Sequence, residues 1–300
     1  KKAADDIKKQ VGSLPAEMER RKAIAKKLIE AGCPVELRLP TGATILYKDM
    51  KVPDPGVGFP PVFEFFRVSF LDGNAHLSKL LAGYRLQAIA FWLSDSRREY
   101  FDVFDRGLRI QGAVTLMAPV EDAHIRTIPV GTKRLLLGRK SRISARWLVV
   151  RSPSNLELFC PGGGVTSREL PMLRNRVRFQ HLGLCPQQLT EGWTEFIPDN
   201  VLGLHVCGLN FDRDQDYEEL VRGLDELMTS EYFSIGLHSI EFDWFTHNES
   251  TMDQLLREFL LSPDHRPRSL KVIKLRNMKL SPDCVRRLRT AYPNVKFTGP

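Results

Sequence analysis

Apolar residues recur at regular intervals in the last third of the chain. Four segments place apolar residues at matching offsets, and a stretch with helical spacing follows each segment. The first apolar positions of the segments are Val177, Leu204, Ile240 and Ile273. The helical stretches cover 187–196, 217–228, 252–261 and 284–292. Strand, turn and helix at a period of about 30 residues are typical of a solenoid, because each unit buries its faces against the next one.

The first half of the chain has a different pattern. Ile24, Leu28 and Ile29 lie at helical spacing, and they predict an amphipathic helix that starts near Ser13 and stops at Gly32. Short β-branched and aromatic runs follow, bounded by Gly, Pro and Asp. We therefore expect an α+β fold class. Its predicted parts are an N-terminal amphipathic helix (1–34), a β-rich α+β module (35–165) and an irregular β/α solenoid (166–300).

Eight runs of the β-rich module predict short strands. They are 35–39, 43–47, 62–70, 100–104, 108–110, 114–117, 134–137 and 147–150. The stretch 77–93 fits either a helix or a buried passage from helix to strand. Phe63, Phe65, Phe91 and Trp92 are interpreted as core residues rather than as a platform for stacking bases.

Composition and cysteine usage narrow the class of protein. With 42% hydrophobic and 27% charged residues, the 300-residue chain has the balance of a globular protein. No window approaches 18 uncharged apolar residues, so we predict no membrane span. The five cysteines are odd in number and include no CxxC, which favours reduced thiols and an intracellular location. The sequence starts without Met, as expected for a fragment or a processed product.

The net charge of +8 hides three blocks of opposite sign. Residues 124–156 contain eight Lys or Arg and no acidic residue, whereas 190–265 contain 17 Asp or Glu against three Arg. From 266 to the end, ten Lys or Arg oppose one Asp. Such blocks can neutralise one another inside one fold, or they can form separate patches for external partners.

Patterns that support catalysis or metal binding are weak. Asp212, Asp214 and Asp216 form a DxDxD, but Gly and Glu are missing from the later positions of a calcium loop. The seven histidines show no HExxH. His181, His205 and Cys207 could meet on adjacent strands, although a structural role is preferred over zinc binding. We therefore expect no cofactor, no metal and no enzymatic activity, with a divergent enzyme that uses a cleft between modules as the weakest hypothesis.

The C-terminal part of the chain resembles leucine-rich repeat proteins. The sequence SLKVIKLRNMKLS at 269–281 follows the LxxLxL consensus through Leu270, Ile273 and Leu275, and VLGLHVCGLNF at 201–211 follows it as well. The ending AYPNVKF is similar to the closing strand of such arrays, including those of F-box-type ubiquitin-ligase adaptors. The consensus Asn is missing, no convincing F-box is present, and a plain α/β layer without repeat ancestry is the alternative.

Alternation along the predicted strands assigns a candidate protein-binding face, because it exposes the positions between the buried ones. The candidate residues are Arg178, His205, Glu241, Asp243, Trp244, Lys274 and Arg276. Trp244 fits an interface anchor, or it folds back into the core beside Phe245. The resemblance implies a non-enzymatic adaptor or scaffold subunit that holds a protein partner within a larger complex.

The alternative function is an RNA-associated subunit of a ribonucleoprotein. The segment 126–151 supplies the candidate phosphate contacts, which are Lys133, Arg134, Arg139, Lys140, Arg142 and Arg146. The sequence has neither an RNA-recognition RNP motif nor a KH GxxG loop. RNA is therefore kept as the second candidate partner, after protein.

Overall fold

The fold combines helices with β-strands, as the α+β prediction requires. A computed structural model of the chain describes residues 2–48, 53, 58–129, 131–138, 140–143, 158–160, 180–184, 189, 191–197, 201–207, 214–243, 249–262 and 267–299. Within these ranges, no helix is both long enough and apolar enough to cross a membrane.

The chain forms two compact units. Unit 1 contains Lys1–Ala118 and Thr127–Gly131, and unit 2 contains Pro119–Arg126 and Thr132–Pro300. The predicted module boundary at residue 165 falls inside unit 2. The reason is that the strand at Arg134–Leu137 pairs in parallel with the strand at Leu158–Cys160, and so joins the later strands.

The described residues of unit 1 form two α-helices and five strands in the order β2-β1-β3-β4-β5. The helices are α1 (Lys2–Glu30) and α2 (Arg98–Asp105). The strands are β1 (Val35–Arg38), β2 (Thr44–Tyr47), β3 (Glu64–Leu71), β4 (Arg85–Trp92) and β5 (Arg109–Met117). β1 is antiparallel to β2 and β3, whereas β3, β4 and β5 run parallel. A 3₁₀ helix at Ala75–Leu81 precedes β4, so the stretch 77–93 is a passage from helix to strand.

Two local predictions in unit 1 are wrong. The helix α1 begins at Lys2 and contains Pro15, so Ser13 does not mark its start. A proline removes one backbone donor, and good helix formers on both sides can carry the helix through it. The run 100–104 is part of α2 rather than a strand. Its apolar residues lie one, three and four positions apart, which gathers them on the buried side of a helix.

The core of unit 1 is aromatic, as predicted. Phe63, Phe65 and Phe91 are buried, and Trp92 is partly buried. The Phe91 ring stacks on Phe70 with centroids 5.2 Å apart. These rings face one another rather than solvent, which is the packing expected of a core.

Within its described residues, unit 2 has seven parallel strands that follow the chain in order. They are β6 (Arg134–Leu137), β7 (Leu158–Cys160), β8 (His181–Leu184), β9 (Gly203–Cys207), β10 (Ser239–Asp243), β11 (Val272–Arg276) and β12 (Lys296–Thr298). The described α-helices of this unit are α3 (Asp122–Ile125), α4 (Asp214–Thr229), α5 (Glu249–Leu260) and α6 (Pro282–Ala291). In the predicted stretch 187–196, the structure describes only a 3₁₀ helix at Trp193–Phe196. The predicted strand 147–150 lies outside the described residues.

The register of the later strands agrees with the matched apolar offsets. Leu204 pairs with Ile240, and Ile240 pairs with Ile273, as the repeat pattern predicts. The first offset is wrong, because Leu182 rather than Val177 lies opposite Leu204. The spacing before β9 is irregular, so periodicity alone placed this strand too early along the chain.

Helices cover one face of the unit 2 sheet. Phe242 of β10 is fully buried and contacts the Phe259 ring of α5 at a centroid distance of 5.9 Å. Tyr292 at the end of α6 donates its hydroxyl hydrogen to the Leu260 carbonyl oxygen at 2.6 Å. The strand residues between these apolar positions therefore point to the opposite face of the sheet, which we call the strand face.

Two cysteines are predicted to resist alkylation in the native protein. Burial raises the pKa of the Cys33 and Cys284 thiols to about 12, so almost no thiolate forms at mildly alkaline pH. We expect iodoacetamide to leave both unmodified until guanidinium chloride unfolds the chain. Peptide mapping by mass spectrometry reports each site, and native-state labelling of either thiol at the unfolded rate would contradict this packing.

Candidate functional site

The strand face of unit 2 carries a cluster of polar residues aligned across three parallel strands. His205 of β9, Glu241 of β10 and Lys274 of β11 lie side by side in register. Two residues further along these strands, Asp243 lies beside Arg276. The alternation of apolar and polar residues in these strands therefore places five ionisable side chains on one face.

Glu241 is the centre of this cluster. Its Oε2 accepts a hydrogen bond from Lys274 Nζ at 3.3 Å, and its Oε1 lies 3.4 Å from Arg276 Nη1. Arg134 Nη2 approaches the same Oε1 at 3.9 Å. Arg134 belongs to the first basic block of the sequence, Glu241 to the acidic block, and the other two cations to the last basic block. Residues from all three charge blocks therefore meet around one carboxylate inside one fold.

The contact between Arg134 and Glu241 shows how the sheet bends. Their strands, β6 and β10, are separated by three others, which corresponds to about 19 Å along a flat sheet. The charged groups nevertheless lie 3.9 Å apart, a gap that two side chains cannot close on a flat surface. The sheet must therefore curve toward the strand face, which makes this face concave.

Burial and charge set the protonation of the two central groups. Burial lowers the pKa of the His205 imidazole to about 4. The Glu241 carboxylate acts in the opposite direction, but the nearby cations lower this pKa further, so His205 is neutral at neutral pH. Burial alone would raise the pKa of the Glu241 carboxyl. The three cations overcome that effect, aided by the imidazole when it is protonated in acid, and they hold this pKa below its ordinary value. Glu241 is therefore a buried carboxylate beside a neutral imidazole.

Several polar atoms of the cluster are unsatisfied. Neither ring nitrogen of His205 has a hydrogen-bond partner among the described residues, and the same holds for Glu241 Oε1. His205 Nε2 lies 3.9 Å from Asp243 Oδ2, too far for a hydrogen bond. The other oxygen of Asp243 accepts a hydrogen bond from Asn277 Nδ2 at 2.7 Å. Unsatisfied buried groups of this kind call for a specific explanation, such as a bound ion or water.

A small cavity of about 130 Å³ opens beside the cluster. Its lining includes Arg134, His181, His205, Ser239 and Glu241. Glycine at position 203 makes room for two of the lining side chains, His181 and Ser239, because a Cβ there would collide with both. The cavity therefore gives the unsatisfied nitrogen and oxygen atoms room for water or a small ligand.

The structure brings together some of the predicted protein-binding residues and buries others. Lys274 and Arg276 remain partly exposed on the strand face, as expected. The predicted exposure of His205, Glu241 and Asp243 is wrong, because all three are less than 10% exposed. The inward curve crowds the centre of this face, and the basic side chains close over Glu241. Arg178 and Trp244 lie outside the described residues.

The candidate RNA contacts do not form one exposed set. Lys133, Lys140 and Arg142 are exposed, whereas Arg134 is directed toward Glu241. Arg139 and Arg146 lie outside the described residues. The segment therefore divides between the surface and the cluster on the strand face.

Three residues at the cluster are missing from the protein-binding face predicted from the sequence. Arg134 is a candidate RNA contact, and neither Ser239 nor Asn277 is among the candidate protein-binding residues. The predicted register of Ile240 and Ile273 also places Glu241 beside Lys274, so it could have signalled this ion pair. The Arg134 contact depends on curvature, which that register does not encode.

Comparison of the chain with protein-family models and with curated proteins gave no match. The chemistry of the strand face therefore has to be interpreted from its own geometry. It offers a concave surface, a partly exposed set of cations and a buried group of oxygen and nitrogen ligands. The cations of such a surface can attract a charged partner, and its buried oxygen and nitrogen atoms can coordinate an ion.

Proposed function

We propose that this protein is a non-enzymatic adaptor or scaffold subunit that binds an acidic segment of a protein partner on the strand face of unit 2. The surplus of positive charge on this face carries the proposal. It presents Arg134, Lys274, Arg276 and Lys296 against the two carboxylates Glu241 and Asp243. Among the described residues of this face, two positive charges are left over, since His205 is neutral, and they favour an acidic partner.

The strand topology supports a repeat-based interaction module. Parallel strands in chain order, with helices α4 to α6 between the later ones, have the connectivity expected of a leucine-rich-repeat-like solenoid. The curve of the sheet gives the strand face the concave form that such modules use for binding. The repeat assignment is part of this proposal, together with the resemblance of 201–211 and 269–281 to leucine-rich repeats.

Affinity purification with paired charge variants tests the proposal. Arg276 and Lys296 are both exposed at the strand face, and neither makes a hydrogen bond to Glu241 among the described contacts. We expect the double variant Arg276→Glu with Lys296→Glu to recover at least about tenfold less partner than the wild type, because it reverses the surplus charge. The matched control is Arg286→Glu with Arg289→Glu, which makes the same charge change on exposed positions of α6.

Nuclease treatment separates the protein hypothesis from the RNA hypothesis. Partner recovery that survives nuclease and falls only in the strand-face variant supports the proposed function. Recovery that disappears with nuclease favours RNA binding, for which the exposed Lys140 and Arg142 are the next positions to neutralise. Equal recovery by both double variants would contradict binding at the strand face.

A further inference from the structure

We propose that His205, Glu241 and Asp243 form a binding site for a divalent transition-metal ion such as zinc. One ligand atom from each residue lies within 4.8 Å of the other two. Imidazole nitrogen and carboxylate oxygen are both ligands that zinc accepts. This inference goes beyond partner binding and does not depend on it.

The geometry of the three side chains is close to that of a coordination site. Donor atoms bound at about 2.0–2.2 Å around a tetrahedral ion lie about 3.4 Å from one another. His205 Nε2 and Asp243 Oδ2 are already 3.9 Å apart. Small side-chain rotations would therefore bring the donors to bonding distance, since the residues share neighbouring strands in fixed register.

The buried imidazole is the second, independent observation. His205 is 2% exposed, and neither ring nitrogen has a hydrogen-bond partner among the described residues. Leaving such a group unpaired is costly in a protein interior, and a metal ion would satisfy one of its nitrogens. Glu241 Oε1 is likewise without a hydrogen bond, although Arg276 and Arg134 lie near it, and it is the second candidate ligand.

The surroundings provide orientation and space. Asn277 donates a hydrogen bond to Asp243 Oδ1, which leaves Oδ2 directed at His205 and makes Asn277 a positioning residue. The cavity of about 130 Å³ borders both His205 and Glu241, and it has room for an ion with bound water. Three protein ligands with space beside them match the pattern of a zinc site that keeps an open position.

The cations around Glu241 compete with the proposed metal for the same carboxylate, so the charge of these cations should affect metal affinity. Arg276 is 44% exposed and lies 3.4 Å from Glu241 Oε1, so it can turn toward solvent when a metal takes that oxygen. Removing its charge should therefore tighten metal binding. A cluster that serves only as an ion-pair network has no such dependence.

Zinc titration of the full chain tests the site. The protein is first stripped with EDTA and exchanged into buffer, and binding is then measured by competition with a chromophoric zinc chelator. We expect one zinc per chain. Affinity should fall at least about 100-fold in His205→Gln and at least about tenfold in the nearly isosteric Asp243→Asn. Asn277→Gly should weaken binding about tenfold, and it tolerates the positive φ of 48° at this position.

Controls separate this site from adventitious binding and from misfolding. His76→Gln removes an exposed histidine of unit 1 and should leave zinc affinity unchanged. Arg276→Gln should bind zinc several-fold more tightly than the wild type, whereas Arg289→Gln should not. Cobalt substitution should give visible d–d absorption that the Asp243→Asn variant lacks, and circular dichroism reports folding of each variant. Wild-type affinity in both His205→Gln and Asp243→Asn, or no zinc bound by the wild type, would overturn the inference.

Discussion

Replacing Phe242 with Ala should lower the free energy of unfolding by about 3–5 kcal/mol. The Phe242 side chain is fully buried between the unit 2 sheet and α5, where its ring packs edge-on against Phe259. Phe259 in turn contacts Phe233 at a centroid distance of 5.3 Å. Truncation would remove the apolar contact and leave a cavity that these rings can fill only in part.

Urea unfolding monitored by circular dichroism measures this effect. The control is Ile235→Ala, which shortens a side chain that is 61% exposed and should change the free energy of unfolding by less than about 0.5 kcal/mol. Equal, small losses in both variants would mean that the helices do not pack on the β10 face as described. The effects of substitutions on the strand face could then not be explained by a sheet that these helices hold in place.

Metal-free protein should lose stability in acid because of His205. The unfolded chain protonates this histidine near pH 6.5, whereas burial lowers its folded pKa to about 4. As pH falls through this interval, the unfolded state takes up a proton that the folded state does not, so stability decreases. The shift corresponds to about 3 kcal/mol, all of which is lost below the folded pKa.

Thermal or urea unfolding between these pH values, with EDTA present, measures the acid effect. The groups that face the imidazole are the carboxylates Glu241 and Asp243 and the cations Arg134, Lys274 and Arg276. The His205→Gln variant should lack most of the decrease above pH 4.5, the ordinary pKa of a carboxyl such as Glu241. Below that value Glu241 adds its own loss, because its folded pKa is lowered and protonation favours the unfolded chain. A variant with the same pH dependence as the wild type would show that His205 is not buried and neutral.

The regular parts of the fold could be predicted from the sequence because they depend on local periodicity. The offsets of Leu204, Ile240 and Ile273 correctly predicted which residues pair across β9, β10 and β11. The same approach misassigned the run 100–104, since aromatic residues favour strands by propensity but here form the buried side of α2. Propensity and periodicity conflict in a run this short, and tertiary packing decides between them.

The candidate site depends on contacts that are distant in sequence. Alternation placed His205, Glu241 and Asp243 on the correct face, yet it could not show that this face curves inward and buries them. Curvature brings Arg134 to Glu241 across three intervening strands. The charge blocks were visible in the sequence, whereas their convergence on one carboxylate required the three-dimensional fold.

Site-specific photo-crosslinking tests the central claim, that the strand face binds the partner, most directly. A photoreactive phenylalanine derivative is placed at Lys296 on the strand face or, as a control, at Arg289 on α6, and the protein is irradiated in extracts of its native cells. We predict that position 296 captures a partner through a peptide rich in Asp and Glu, and that position 289 does not. Capture of the same partner from position 289 alone would contradict binding at the strand face.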